Sequence, residues 1–222
     1  DLYDRGKMRH IRSIHISERV VQRTLCDKVI NPTLKPSFIY DNGASTENKG
    51  IDFALNRLSC HLQRHYRKYG REGYVLLFDF SNYFANAQHW PVSRELAKRV
   101  HDVRIRALAN ECLDNFGPIG YGLGSQISQT AALMLPNKLD HFIKEKLGIK
   151  GYARYMDDGY LIHPSKEYLK ECLTRMKEVC DSLGIILNTK KTKIKKLSEG
   201  FKFLQIRFKL TETGKMLRKM SF

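Results

Sequence analysis

The 222-residue chain has no uninterrupted apolar stretch near the roughly 20 residues that a membrane-spanning helix needs. Its opening residues, DLYDRGKMRHIRS, contain no apolar segment of the kind that marks a secretory leader. Cysteine is scarce and odd in number: Cys26, Cys60, Cys112, Cys172 and Cys180, with no Cys-x-x-Cys spacing. That argues against a disulfide framework and a thiolate zinc site, and points to reduced thiols in a cytoplasmic protein. There is one tryptophan, there are six prolines, and no internal repeat or low-complexity linker is visible. Acidic residues are also few, 23 against 39 lysines and arginines, so the chain carries a formal charge of +16. This balance favours a polyanionic partner such as nucleic acid or an anionic membrane surface.

The basic residues are unevenly placed. Eleven lysines and arginines lie beyond residue 188, against Glu199 and Glu212 alone. The 42% hydrophobic content is enough for a packed core. Residues 9–16 alternate polar and apolar as a strand does, and Ser17 reads as the N-cap of a helix running to about Val29 and ended by Asn31-Pro32. Residues 38–50 read as loop, and Ile51, Leu55, Leu58, Leu62, Tyr66 and Tyr69 make a helical stripe. YVLLFDF at 74–80 reads as a buried strand, 92–113 as helix, 117–125 as a glycine-rich loop and 126–147 as a helix broken near Pro136. Residues 151–163 read as two strands joined at Met156-Asp157-Asp158-Gly159, followed by a helix capped by Ser165 and then short strands to about residue 210. The alternation changes parity between Phe203 and Leu204, which predicts a bulge or turn.

Two features converge on chemistry. Asp79 ends an apolar strand, and Asp157-Asp158 sit in a turn between apolar strands. Carboxylates at such places are costly unless paired or metal-bound, and hard oxygen donors suit Mg²⁺. Two such ions can stabilise both the attacking and leaving oxygens of an in-line phosphoryl displacement. His61 and His65 have a ligand-like i, i+4 spacing without an evident third ligand, so a solvated or backbone-facing role is the expectation.

YMDD at 155–158 resembles motif C of reverse transcriptases, and FDFSNYF at 78–84 resembles motif A. GYGLGSQISQTAALMLPNKLD resembles motif B, LNTKKTKI motif D, and FKFL motif E, in the family's order and over nearly the whole chain. Upstream, KMRHIRSIHISERVVQRTL resembles the fingers of bacterial reverse transcriptases. Within the family the likeness is to diversity-generating retroelement enzymes, with Ser128-Gln129 of that type, and more distantly to group II intron and retron enzymes. Three positions depart from the pattern: Gly122-Leu123 stands where Pro-Gln is usual, Thr46 where relatives carry Arg, and Asp52 where they carry His.

The resemblance implies an α+β right-hand polymerase with fingers at 1–73 and 91–125 and a palm with an antiparallel sheet at 74–90 and 126–210. Residues 211–222 would begin a thumb that is otherwise largely absent. It implies an RNA-directed DNA polymerase, bacterial or phage-encoded. Its partners would be an RNA template, a DNA or RNA primer and dNTP, with an accessory protein or a retroelement or intron RNA as a further partner. Two Mg²⁺, replaceable by Mn²⁺, would be held by Asp79, Asp157, Asp158 and the carbonyl of Phe80. Lys7 and Arg9 would meet the triphosphate, Leu123 and Gly124 would lie at the nucleotide, and Phe84 would gate against a 2′-OH. Lys191, with Lys190 as its rival, would protonate pyrophosphate, and Phe203 with Leu204 would grip the primer. A maturase-type RNA-binding protein and an RNA-templated RNA polymerase remain as alternative readings.

Overall fold

A computed structural model describes residues 2–4, 7–9, 11 and 14–220, leaving the side chains at 2, 4 and 7–9 outside the described set. The strands β1 (Leu2–Asp4) and β2 (Lys7–Arg9) pair antiparallel. Helix α1 (Ile16–Leu25) runs through a π-helical turn at Cys26–Ile30 into α2 (Asn31–Leu34) and a 3₁₀ turn at Lys35–Ser37. Helix α3 (Ile51–Tyr69) precedes β3 (Tyr74–Phe78). Helices α4 (Tyr83–Asn86), α5 (Trp90–Arg99), α6 (Val103–Asp114), α7 (Gln126–Met134) and α8 (Asn137–His141) follow, the last entering a π-helical turn at Phe142–Lys146. The chain then forms β4 (Gly151–Tyr155), β5 (Asp158–His163), α9 (Lys166–Asp181), β6 (Lys193–Lys196), β7 (Phe201–Phe203), β8 (Ile206–Leu210) and β9 (Met216–Met220).

Two compact units emerge from the contacts. One comprises residues 1–38, 82–137 and 183–185; the other comprises 39–81, 138–182 and 186–222. The first is built mainly of helices. Its first helix starts two residues earlier than the sequence predicts: His15 is the N-cap, accepting from the Ser17 amide, and the Ser17 hydroxyl contacts the His15 ring. Of the strand expected over 9–16 only Arg9 is in a strand, and residues 10, 12 and 13 lie outside the described set. Asn31-Pro32 does not end the helix as expected, because the π-helical turn resets the ladder and places Pro32 in the first turn of α2, where a missing N–H costs nothing. The helix expected over 92–113 is two, parted at residues 100–102, with Asp102 capping α6 through the amides of Arg104 and Ile105.

The second unit holds a four-stranded antiparallel sheet in the order β4-β5-β3-β6 and a three-stranded antiparallel sheet, β7-β8-β9. The helical stripe of α3 supplies Leu55, Leu58 and Leu62 to a core shared with Val75, Ala153, Tyr160, Ile162, Phe201, Phe203 and Phe208. The ends of that stripe, Ile51 and Tyr69, are exposed instead. The parity change after Phe203 is a two-residue turn, Leu204-Gln205, with φ of 44° and 66°. Both residues lie in the left-handed region, the pattern that matches strand twist in tight hairpins. Among the described residues no helix is long and apolar enough to cross a membrane, and all five cysteines are free thiols.

Candidate active site

The register of the central sheet brings the acids together. Phe78 at the end of β3 pairs with Gly159 in β5, so the next residues along each strand, Asp79 and Asp158, face one another. Phe78 demands this glycine: a Cβ at position 159 would lie 2.3 Å from its ring. Tyr155 pairs with Asp158, leaving Met156-Asp157 as a two-residue hairpin turn. Met156 has φ of 56°, a conformation that usually takes glycine at the first turn position, and this costs about 1–2 kcal/mol.

Asp79 is almost completely buried, yet both its carboxylate oxygens are occupied. Asn188 Nδ2 donates to Oδ1 at 3.0 Å and Lys191 Nζ to Oδ2 at 2.6 Å. The segment carrying these donors is stitched to the end of β3 by Asn188 N–H to the Asp79 carbonyl at 2.8 Å and Ser81 N–H to the Ile186 carbonyl at 2.7 Å. Asn188 also folds its own loop, its side-chain oxygen accepting from the amides of Lys190 and Lys191. These bonds flank a Phe80–Leu187 bridge, so Phe80 directs its own N–H and C=O away from Leu187, toward the side where β5 lies. The Lys191 ammonium is held in its charged form by the bond to Asp79.

Asp158 is the poorly compensated member, with the charge of Lys191 too small a counterweight to its burial and acidic neighbours. Burial, then the charges of Asp157 and Asp79, push its carboxyl up to about 7, and it hydrogen-bonds Asp79. The donor set is one of hard oxygens whose mutual repulsion a divalent cation would relieve, so the residues present fit Mg²⁺ by their chemistry. In this arrangement Asn188 and Lys191 occupy Asp79, and among the described residues no three carboxylates, imidazoles or thiolates converge as a ready-made cage.

Behind the turn lies an ion pair that sequence reasoning missed. Arg154 and Asp140 are both completely buried; Arg154 Nε and Nη2 meet the Asp140 carboxylate at 2.8 and 2.6 Å. The Tyr152 hydroxyl donates to the same carboxylate, and Arg154 Nη1 donates at 2.8 Å to the carbonyl of Met156. The strained turn that carries Asp157 is thus held from beneath by a neutralised guanidinium. A lone arginine within the apolar run of β4 was the readable signal; Asp140, on a helix, gave none.

The other predicted residues fall as follows. Phe84 lies in the first unit, half-buried, its ring against Tyr83 and Tyr121 and its carbonyl accepting from Tyr121 N–H at 2.6 Å. Leu123 is half-buried in the glycine-rich loop, and Gly124 is exposed with φ of 98°. Phe203 is buried against the Tyr160 ring at 5.0 Å, and Leu204 is at the tip of the β7–β8 hairpin. Lys7 and Arg9 are in β2 by backbone, and their side chains lie outside the described residues. Lys190 is exposed, and its backbone amide donates to the Asn188 side chain at 3.1 Å.

His65 meets the expectation of a backbone-facing role, and His61 corrects it by turning to side chains. Both are buried on α3: His61 contacts the Tyr160 hydroxyl at 2.9 Å and Asp41 at 3.6 Å, and His65 the Glu72 carbonyl at 2.7 Å. Burial opposes ionisation of Asp41, but bonds from His61, Lys144 and Arg57 outweigh it and hold the carboxyl far below its ordinary range.

The sequence profile of reverse transcriptases (RNA-dependent DNA polymerases) matches residues 3–208. No curated protein matches the chain significantly. Among solved structures, telomerase from Candida albicans in complex with the TWJ fragment of telomeric RNA is similar with a TM-score of 0.63 and 12% identity over 90% of this chain and 37% of that one. Apo telomerase from Candida tropicalis truncated from its C-terminal domain gives 0.63 and 13%, over 90% and 44% of the two chains. At such identity the likeness is one of fold, and the chain spans less than half the length of either structure. Given the profile match over most of its length, the chain belongs to the reverse transcriptase (RNA-dependent DNA polymerase) family.

Proposed function

We propose that the chain is the fingers–palm part of an RNA-directed DNA polymerase that extends a primer with dNTP, of the retroelement type that Ser128-Gln129 resembles. The observation that carries this reading is the juxtaposition of Asp79, Asp158 and Lys191 at one end of the central sheet. Fingers would comprise 1–73 and 91–125, the palm 74–90 and 126–210, and 211–222 the start of a thumb. Asp79, Asp157, Asp158 and the Phe80 carbonyl would hold two Mg²⁺, which when bound supply charge stabilisation to the attacking and leaving oxygens. Asn188 fixes the rotamer of Asp79, and Arg154 fixes the turn that presents Asp157. Lys191, cationic and half-exposed, is placed to release a proton toward departing pyrophosphate. Lys7 and Arg9 would take the triphosphate, Leu123 and Gly124 would border the base pair, and Leu204 with Phe203 would support the primer terminus. Phe84 would exclude a 2′-OH by clash and by denying it a hydrogen-bond partner, worth at least about 10²-fold against rNTP.

Single-nucleotide primer extension on RNA and DNA templates tests the reading. Asp157→Asn is nearly isosteric and is expected to lower synthesis at least about 10³-fold, roughly 4 kcal/mol. Near-normal extension by the folded variant would overturn the site. Phe84→Ala is expected to raise rNTP incorporation while dNTP use falls less, and a wild-type enzyme using both sugars equally would favour an RNA polymerase.

A further inference from the structure

The far end of the same strand carries a second concentration of charge, of opposite sign. Tyr74 begins β3, five residues before Asp79 and roughly 17 Å away along an extended strand. Beside it lies a cavity of about 410 Å³ lined by Tyr74, Lys166, Lys195, Lys196, Arg207 and Glu199, among others. Four cations therefore face one acid. Among the described residues none of the five charged groups makes an ion pair, although the cations come from three different elements: Lys166 from α9, Lys195 and Lys196 from β6, and Arg207 from β8. Arg207 is moreover the middle of a cross-strand row, paired with Lys202 on one side and Lys219 on the other. Like charges directly opposite on a sheet repel, by a few tenths of a kcal/mol to about 1 kcal/mol per pair. A fold that gathers four cations at this cost around a single carboxylate, with no ion pair formed among the described residues, leaves the place for an external anion.

We infer that this pocket is a phosphate-binding site for RNA, holding the backbone of a strand outside the catalytic end of the sheet. The pocket has room for a phosphodiester and its sugar, lysines and an arginine fork are the usual phosphate ligands, and the half-buried Tyr74 offers an aromatic wall of the kind that unpaired bases stack on. The choice of RNA over another polyanion rests on the family's RNA dependence, and the site itself does not depend on polymerisation.

The test compares two variants of the full chain with equal loss of charge. One is Lys195→Gln, Lys196→Gln and Arg207→Gln; the control is Lys146→Gln, Lys170→Gln and Lys177→Gln, three exposed lysines elsewhere. Binding of a labelled single-stranded RNA is measured across a salt series, with tripolyphosphate as competitor. The pocket variant is expected to weaken RNA binding on the order of tenfold beyond the control and to flatten the log–log salt slope by about 2, since each phosphate contact on a single strand contributes about 0.7. Tripolyphosphate is expected to displace RNA from the wild type more than from the pocket variant. Lys166→Glu gives a second, independent arm: it lies in the first turn of a 16-residue helix, where an acid is favoured, so folding is safe and binding is still expected to drop. Equal affinity and slope for pocket and control variants would overturn the proposal. So would a pocket-dependent capture of poly-glutamate without RNA. Primer extension on a short hairpin substrate is expected to be unchanged in the pocket variant, which separates failure of this site from failure of the polymerase reading.

Discussion

Asp140 and Asp158 lie in the same unit and meet opposite fates. Asp140 is fully buried and fully answered: a guanidinium grips both its oxygens and a tyrosine hydroxyl adds a third bond. Asp158 is less deeply placed, yet burial and the charges of Asp157 and Asp79 push its carboxyl up to about 7. The protein thus neutralises the acid that supports the turn and leaves the acid that follows the turn wanting a cation. Burial alone does not distinguish a structural from a functional carboxylate; the difference is whether the chain itself provides the counter-charge.

The largest expected effect follows from breaking the answered pair. Asp140→Asn strands a buried guanidinium, and urea denaturation is expected to report a loss of about 3–5 kcal/mol. Asp140→Leu combined with Arg154→Met, which removes both charges, is expected to lose less than Asp140→Asn alone. Because Arg154 also donates to the Met156 carbonyl, the double variant should recover stability without recovering primer extension. Recovery of both would show that Arg154 has no positioning role.

This contrast also marks how far the sequence could be read. Helix α3, the central strand and the hairpin were legible because apolar periodicity and turn residues are local signals, and Asp79, Asp157 and Asp158 stood out as acids in apolar runs. The helix break at residues 100–102 and the continuation through Pro32 were not, since each depends on a cap or a π-helical turn that composition does not announce. Strand β9 was hidden in MLRKM, where charged residues interrupt the apolar pattern and pairing with β8 makes the strand. Asn188 and Asp140 lie 109 and 14 residues from the groups they serve, and only the folded register brings them there.

A smaller effect comes from the unanswered acid. With its folded pKa near 7, Asp158 keeps a proton that the unfolded chain releases near pH 4. Stability is therefore lost as pH rises from about 4 to 7, and the penalty is complete above 7. Asp158→Asn cannot ionise, so in metal-free buffer at pH 8 it is expected to be more stable than the wild type by about 1–2 kcal/mol after solvent screening. The gain should vanish at pH 4. A variant that is less stable at both pH values would mean that Asp158 is satisfied by the chain, as Asp140 is.

The smallest effect sharpens the comparison at Asp41, a third buried acid, where one of the partners can itself titrate. Two influences compete on His61: burial lowers its pKa, while the nearby Asp41 carboxylate raises it, and burial wins. The imidazole is therefore neutral in the folded state at pH 7, and Lys144 and Arg57 carry the counter-charge for Asp41. Below about pH 6.5 the unfolded chain takes up a proton that the folded chain refuses, so stability falls as pH drops, by at most about 1.4 kcal/mol per pH unit until the folded pKa is reached. His61→Gln keeps an amide within reach of the Tyr160 hydroxyl and carries no titrating proton. Measured by urea denaturation, the wild type is expected to lose stability relative to His61→Gln between pH 7 and 5.5, by up to about 1 kcal/mol. Parallel curves would show that His61 does not change charge over this range. A wild type that gains on the variant as pH falls would show that Asp41 overcomes burial, and that the histidine then belongs among its counter-ions.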